Sequence, residues 1–122
     1  MTSLDDNKYY AIVVDSGAII KHTGFHTLHN AGQFYFTPSA VLEEIRDQQA
    51  RRHLEELPFN LQIREPSTDG LKIVIEFSQR TGDYASLSAV DLQVLALLYD
   101  LGTLHFYDYA ILPSYVYMLL TV

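Results

Sequence analysis

The sequence predicts an α/β domain with a central, mostly parallel sheet flanked by helices. Three observations point there. Tyr9-Tyr10-Ala11-Ile12-Val13-Val14 is an apolar run that ends abruptly at Asp15-Ser16-Gly17. Short apolar stretches alternate with longer stretches of helical period along the rest of the chain, which is the pattern of a sheet with crossover helices. The length, 122 residues with 48% hydrophobic content, suits one domain with a real core and excludes a disordered chain.

The first run has four unbroken apolar residues, Ala11 to Val14, as expected of a strand buried on both faces. Asp15 stops it, and Ala18-Ile19-Ile20 resumes as a helix or turn. Gln33-Phe34-Tyr35-Phe36 is a second, aromatic strand. Thr37-Pro38 predicts a helix start, with a capping hydroxyl and proline at the first helical position. That helix is expected to run from Pro38 to about Leu57, with Pro58 ending it. Asn60 to Arg64 alternates as a short strand, and Leu71 to about Arg80 carries a helical stripe. Ser88-Ala89-Val90-Asp91 has the capping-box pattern and opens a helix from Ala89 to Leu101 that is apolar nearly all round. Leu104-His105-Phe106-Tyr107 is the next strand, followed by Asp108. The expected layout is a polar lead-in over 1–8, a domain over 9–108 and an apolar segment over 109–122. That segment, interrupted by Pro113, falls short of the ~20 residues a membrane helix needs.

Eight Lys+Arg against fifteen Asp+Glu give a net charge of −7. This is the wrong sign for a protein held to nucleic acid by a broad basic face, although an enzyme that gathers acids around a cation fits it. The absence of cysteine excludes disulfides and thiolate zinc sites and is compatible with a reducing compartment. His22, His26 and His29 have no acid or thiol nearby in sequence and are expected to be incidental.

The acids are therefore the candidates. Asp15 and Asp108 stand at strand ends, where open parallel sheets place their chemistry. A strand-end aspartate also serves as an ordinary cap or turn residue. In the helix after Pro38, at about 100° per residue, Glu44 lies about 60° from Val41 and borders the apolar stripe, while Glu43 and Asp47 point further into solvent. Asp91 is equally suited to capping and to metal binding. Asp83 reads as a loop residue. Four converging carboxylates cannot all stay ionised without a cation, and hard oxygen ligands suit Mg²⁺ or Mn²⁺.

Val13-Val14-Asp15-Ser16-Gly17-Ala18, Phe36-Thr37-Pro38 through Glu44-Ile45-Arg46-Asp47, Ala50-Arg51-Arg52 to Leu57-Pro58, and Thr81-Gly82-Asp83-Tyr84 into Leu87-Ser88-Ala89-Val90-Asp91 together resemble the PIN-domain endoribonucleases, and within them the branch that acts in ribosome biogenesis. The resemblance covers roughly residues 9 to 101. It implies the PIN-like three-layer fold and a site of Asp15, Glu44 and Asp91, with Asp108 in the usual place of a fourth acid. It further implies a metal-dependent endoribonuclease cutting single-stranded precursor rRNA at the 3′ end of small-subunit rRNA, within a pre-ribosomal particle and its assembly factors, in nucleus and cytoplasm and away from membranes. Lys21, Arg46, Arg51 and Arg52 are the candidate phosphate contacts. The family branch continues into a cysteine-rich zinc ribbon that this cysteine-free chain does not contain, and beyond Leu101 the resemblance fades. A non-catalytic PIN-like docking module is the alternative. A phosphoacceptor receiver domain would need a lysine at its last strand, yet the final lysine is Lys72. A haloacid-dehalogenase-type phosphatase would need an acid where Gly17 stands.

Overall fold

A computed structural model describes residues 9–21, 32–101, 104–106, 111–113 and 116–119, with side chains described over 11–20 and 32–101. Strand β1 (Tyr9–Val14) is central. It pairs in parallel with β2 (Gly32–Thr37) on one side and β6 (Val116–Leu119) on the other, and β3 (Leu61–Ile63) pairs in parallel with β2. The sheet order is thus β3-β2-β1-β6, while β4 (Leu104–Phe106) and β5 (Ile111–Pro113) form a separate antiparallel pair. Ala11, Ile12, Val13 and Val14 are all fully buried, as their unbroken apolar run requires.

Helix α1 (Ser16–Lys21) follows β1 directly, and Asp15 Oδ1 accepts from the Ala18 N–H at 3.2 Å, in the manner of an N-cap. After β2, the single helix expected from Pro38 to Leu57 is two helices, α2 (Ser39–Glu43) and α3 (Gln48–Glu55). The break has a local cause. Asp47 takes extended backbone angles and its Oδ2 accepts from the Ala50 N–H at 3.1 Å, so it starts a new helix instead of continuing the old one. Thr37 is not a cap either. It belongs to β2, is fully buried, and its hydroxyl donates to the Val14 carbonyl at 2.8 Å, tying the carboxyl ends of β1 and β2 together. We expect Thr37→Val to cost about 1–3 kcal/mol by leaving a buried carbonyl without its donor, measured as a lowered midpoint in urea unfolding.

Helix α4 (Thr68–Thr81) begins three residues before the apolar stripe because Ser67 Oγ accepts from the Gly70 N–H at 2.9 Å. It ends at Gly82, whose φ of 86° is the left-handed conformation glycine adopts without steric cost. Helix α5 (Ala89–Asp100) packs against α4, β1 and α2, with Leu92, Val94, Leu95, Ala96, Leu97 and Leu98 buried. Asp100, at its end, accepts from both the N–H and the hydroxyl of Ser67, which fastens the end of α5 to the start of α4. A methyl group on Gly70 would overlap the Asp100 carboxylate and crowd Ser67 Oγ. Gly70→Ala should therefore lower the thermal midpoint despite alanine's better helix propensity, whereas Gly70→Ala with Asp100→Ala should recover part of the loss.

The strand expected at Leu104–Tyr107 forms, as β4, but lies outside the main sheet; β6, from the apolar 109–122 segment, takes the place beside β1. Among the described residues no helix is long and apolar enough to cross a membrane.

Candidate metal centre at the carboxyl edge of the sheet

The carboxyl ends of β1, β2 and β3 form one edge, and the polar groups there are joined in a row. Asp15 leaves β1. Ser16, the next residue, donates its hydroxyl to Glu44 Oε1 at 2.7 Å across 28 residues of sequence. Glu44 is held in place from below: Val41 and Ile45, which flank it, are fully buried, and its own N–H bonds back to the Val41 carbonyl. Glu44, the residue just past α2, therefore adjoins the buried Val41 and Ile45 while its carboxylate meets Ser16.

Asp91 closes the capping box of α5. Its Oδ2 accepts from the Ser88 N–H at 2.9 Å, and the Asp91 N–H donates to Ser88 Oγ at 3.0 Å. No hydrogen bond joins it to Asp15 or Glu44. Glu44 Oε2 and Asp91 Oδ1 have no hydrogen-bond partner among the described residues. Asp108, the histidines at 22, 26 and 29, the lead-in 1–8 and the Lys21 side chain lie outside the described residues. Arg46, Arg51 and Arg52 are exposed, and Arg46 Nε donates to the Glu43 carbonyl at 3.4 Å. Among the described residues no three acids or histidines approach closely enough to enclose an ion together. An oxygen-only set, with Ser16 bonded to Glu44 and next to Asp15 in the chain, fits a hard divalent cation that keeps part of its water shell, which needs only one or two carboxylates from the protein.

Two features of this edge escaped the sequence reading. Thr37 braces the strand ends, as described above. Glu65, just beyond β3, accepts from both the N–H and the hydroxyl of Ser39 and so takes over the capping of α2 that Thr37 does not perform. No local spacing signals a partner 26 residues away. The Ser39 hydroxyl first, and its N–H second, hold the Glu65 carboxyl below the ordinary glutamate range. A lowered folded-state value means that the contribution is present above the unfolded value and is lost as pH falls through the folded one. The stability advantage of the native chain over Glu65→Gln should therefore be present at pH 6 and shrink on acidification below the ordinary glutamate range, as read from urea midpoints across pH.

The family model for the PIN domain of ribonuclease matches residues 12–101. The chain belongs to the PIN-domain family. It is 44% identical over 90 residues to the RNA-binding protein NOB1 of Mus musculus, covering 74% of this chain and 22% of that protein. It is 40% identical over 93 residues to the 20S-pre-rRNA D-site endonuclease NOB1 of Saccharomyces cerevisiae, covering 75% and 20%. Ribonuclease VapC3 of Aeropyrum pernix is 40% identical over 94 residues, covering 75% and 65%. The chain spans about a fifth of the length of the two NOB1 proteins. The matched PIN region contains Asp15, Glu44 and Asp91 and stops before Asp108.

Proposed function

We propose that this PIN domain is the nuclease unit of a divalent-metal-dependent endoribonuclease that cuts single-stranded precursor rRNA at the 3′ end of small-subunit rRNA. The observation that carries the reading is the Ser16–Glu44 hydrogen bond, which brings the strand-end acid Asp15 and a helix acid 29 residues later to one edge of a parallel sheet. The likeness to proteins named as pre-rRNA endonucleases supplies the substrate class.

Asp15 and Glu44 would hold Mg²⁺ or Mn²⁺, with Asp91 and Asp108 as the further acids of the site. Such an ion would supply charge neutralisation at the scissile phosphate and a more acidic water. Ser16 orients Glu44 so that its second oxygen points away from the serine, and the carboxylates accept the proton that the attacking water releases. The water oxygen bonds to phosphorus in line as the bond from phosphorus to the 3′ oxygen breaks, and that oxygen takes up a proton. The products are a 5′-phosphate and a 3′-hydroxyl. Lys21, Arg46, Arg51 and Arg52 contact flanking phosphates. The nuclease unit, with β6 of the 109–122 segment as part of its sheet, works in the nucleus and cytoplasm with pre-ribosomal particles and assembly factors. Incubation of the chain with single-stranded and duplex forms of an RNA spanning the small-subunit 3′ end, with Mn²⁺, tests this. Cutting of the single strand alone is expected; no cutting, together with no binding of Mn²⁺ in isothermal titration, would make the domain a docking module.

A further inference from the structure

Arg64 follows β3 at the same edge, and its N–H donates to the Thr37 carbonyl at 3.0 Å while Thr37 in turn bonds Val14. The strand pairing puts Val14, Thr37 and Ile63 in one row across three strands, with Asp15 and Arg64 each one residue beyond it at the same edge. At about 4.8 Å between strands, the Arg64 backbone is about 10 Å from that of Asp15. Its guanidinium lies over the Phe36 ring, 5.5 Å from the centroid. Phe36 stacks on Phe34 with centroids 6.3 Å apart and planes 25° apart. Phe36 is nearly buried, while Phe34 is 37% exposed, so an aromatic stripe runs along β2 and ends under an exposed arginine plane.

Three properties make this more than surface packing. The guanidinium N–H groups of Arg64 have no acceptor among the described residues, although Glu65 is its neighbour, because that carboxylate is engaged by Ser39. The guanidinium carbon sits over the Phe36 ring while Arg64 itself is exposed, so the group is backed by an aromatic ring and still open to solvent. The rest of the edge is acidic, with Asp15, Glu44 and Glu65, so a polyanionic strand approaching it needs a cation beside the acids. Unpaired bases stack on arginine planes and on aromatic rings, and phosphates take the guanidinium donors.

Resting on the nuclease reading above, we propose that Arg64, backed by Phe36 and Phe34, binds a nucleotide beside the scissile bond, its base stacked on the guanidinium and its phosphate on the free N–H groups. Arg64 is thus a substrate-binding residue a nucleotide or two from the point of cleavage. The test uses a short fluorescein-labelled single-stranded RNA and its copies with one abasic nucleotide stepped along the strand. Fluorescence anisotropy gives binding, and initial rates give KM and kcat. Arg64→Ala should weaken binding and raise KM by about 10-fold or more, with kcat changed less than about 2-fold. Arg64→Lys, which keeps the charge and loses the plane, should recover less than half of that loss on a logarithmic scale. One abasic position should weaken binding to the native chain but not further weaken binding to Arg64→Ala. Native affinity in Arg64→Lys, or abasic losses that are the same in native and variant chains at every position, would overturn the proposal. RNA that binds with the expected coupling but is never cut would overturn the nuclease reading and leave the nucleotide-binding role of Arg64 standing without its place beside a scissile bond.

Discussion

Asp15→Asn is expected to lower the rate of single-strand RNA cleavage by at least about 100-fold while leaving the fold intact. Loss of a residue that merely orients a metal ligand typically costs about 10–100-fold, so removing a ligand's charge should cost more. The fold should survive because asparagine keeps the oxygen that accepts from the Ala18 N–H, and Asn and Asp are near-equal N-caps. Cleavage kinetics in saturating Mn²⁺ beside a urea unfolding curve separate the two effects. A native unfolding midpoint with a collapsed rate supports the site, and an unchanged rate removes Asp15 from it.

Ile45→Ala is expected to have the largest effect on stability, about 2–5 kcal/mol, because Ile45 is fully buried in the main core. Its position makes the loss informative about function. Ile45 lies between Glu44 and the new helix start at Asp47, in the break where α2 ends and α3 has not begun. There, packing of Ile45 and the backbone bonds of Glu44 and Ile45 to Val41 and Leu42 together hold Glu44 beside Ser16. Ile45→Ala should therefore also reduce cleavage at temperatures where the variant remains folded. Ile45→Val, expected to cost about 0.5–1.5 kcal/mol, should largely keep it. Both follow from chemical unfolding and from rates measured well below the unfolding transition.

Much of the scaffold was legible because its signals are local. The apolar run of β1, the capping box at Ser88 and the all-round apolar face of α5 each specify their element within a few residues, and each forms as read. The errors fall where a distant partner decides. Thr37 has the residue type of a cap, but the buried Val14 carbonyl competes for its hydroxyl and wins, since an unmet buried acceptor costs more than an uncapped helix end. Glu65 then fills the vacated capping role from another strand. The break before α3 was legible in principle, because Asp47 three residues before Ala50 has the spacing of a cap, but the apolar stripe continues through it and masked the signal. At the candidate site, the place of Glu44 beside Val41 and Ile45 is legible from helical period alone. The bond from Ser16 to Glu44 has no local signal, because it spans 28 residues. Arg64 was passed over for the arginines of α3, since nothing in sequence places it at the carboxyl edge; the β2–β3 register does.

In the proposed site Asp15 and Glu44 share one divalent cation at the carboxyl edge of β1. Titration of the isotopically labelled chain with substoichiometric Mn²⁺, followed by paramagnetic broadening of its amide signals, tests this most directly. The account predicts that signals of Asp15, Ser16 and Glu44 broaden first and that Glu44→Gln weakens the effect at Asp15. Broadening that begins elsewhere in the chain, or that reaches Asp15 unchanged in Glu44→Gln, would contradict it.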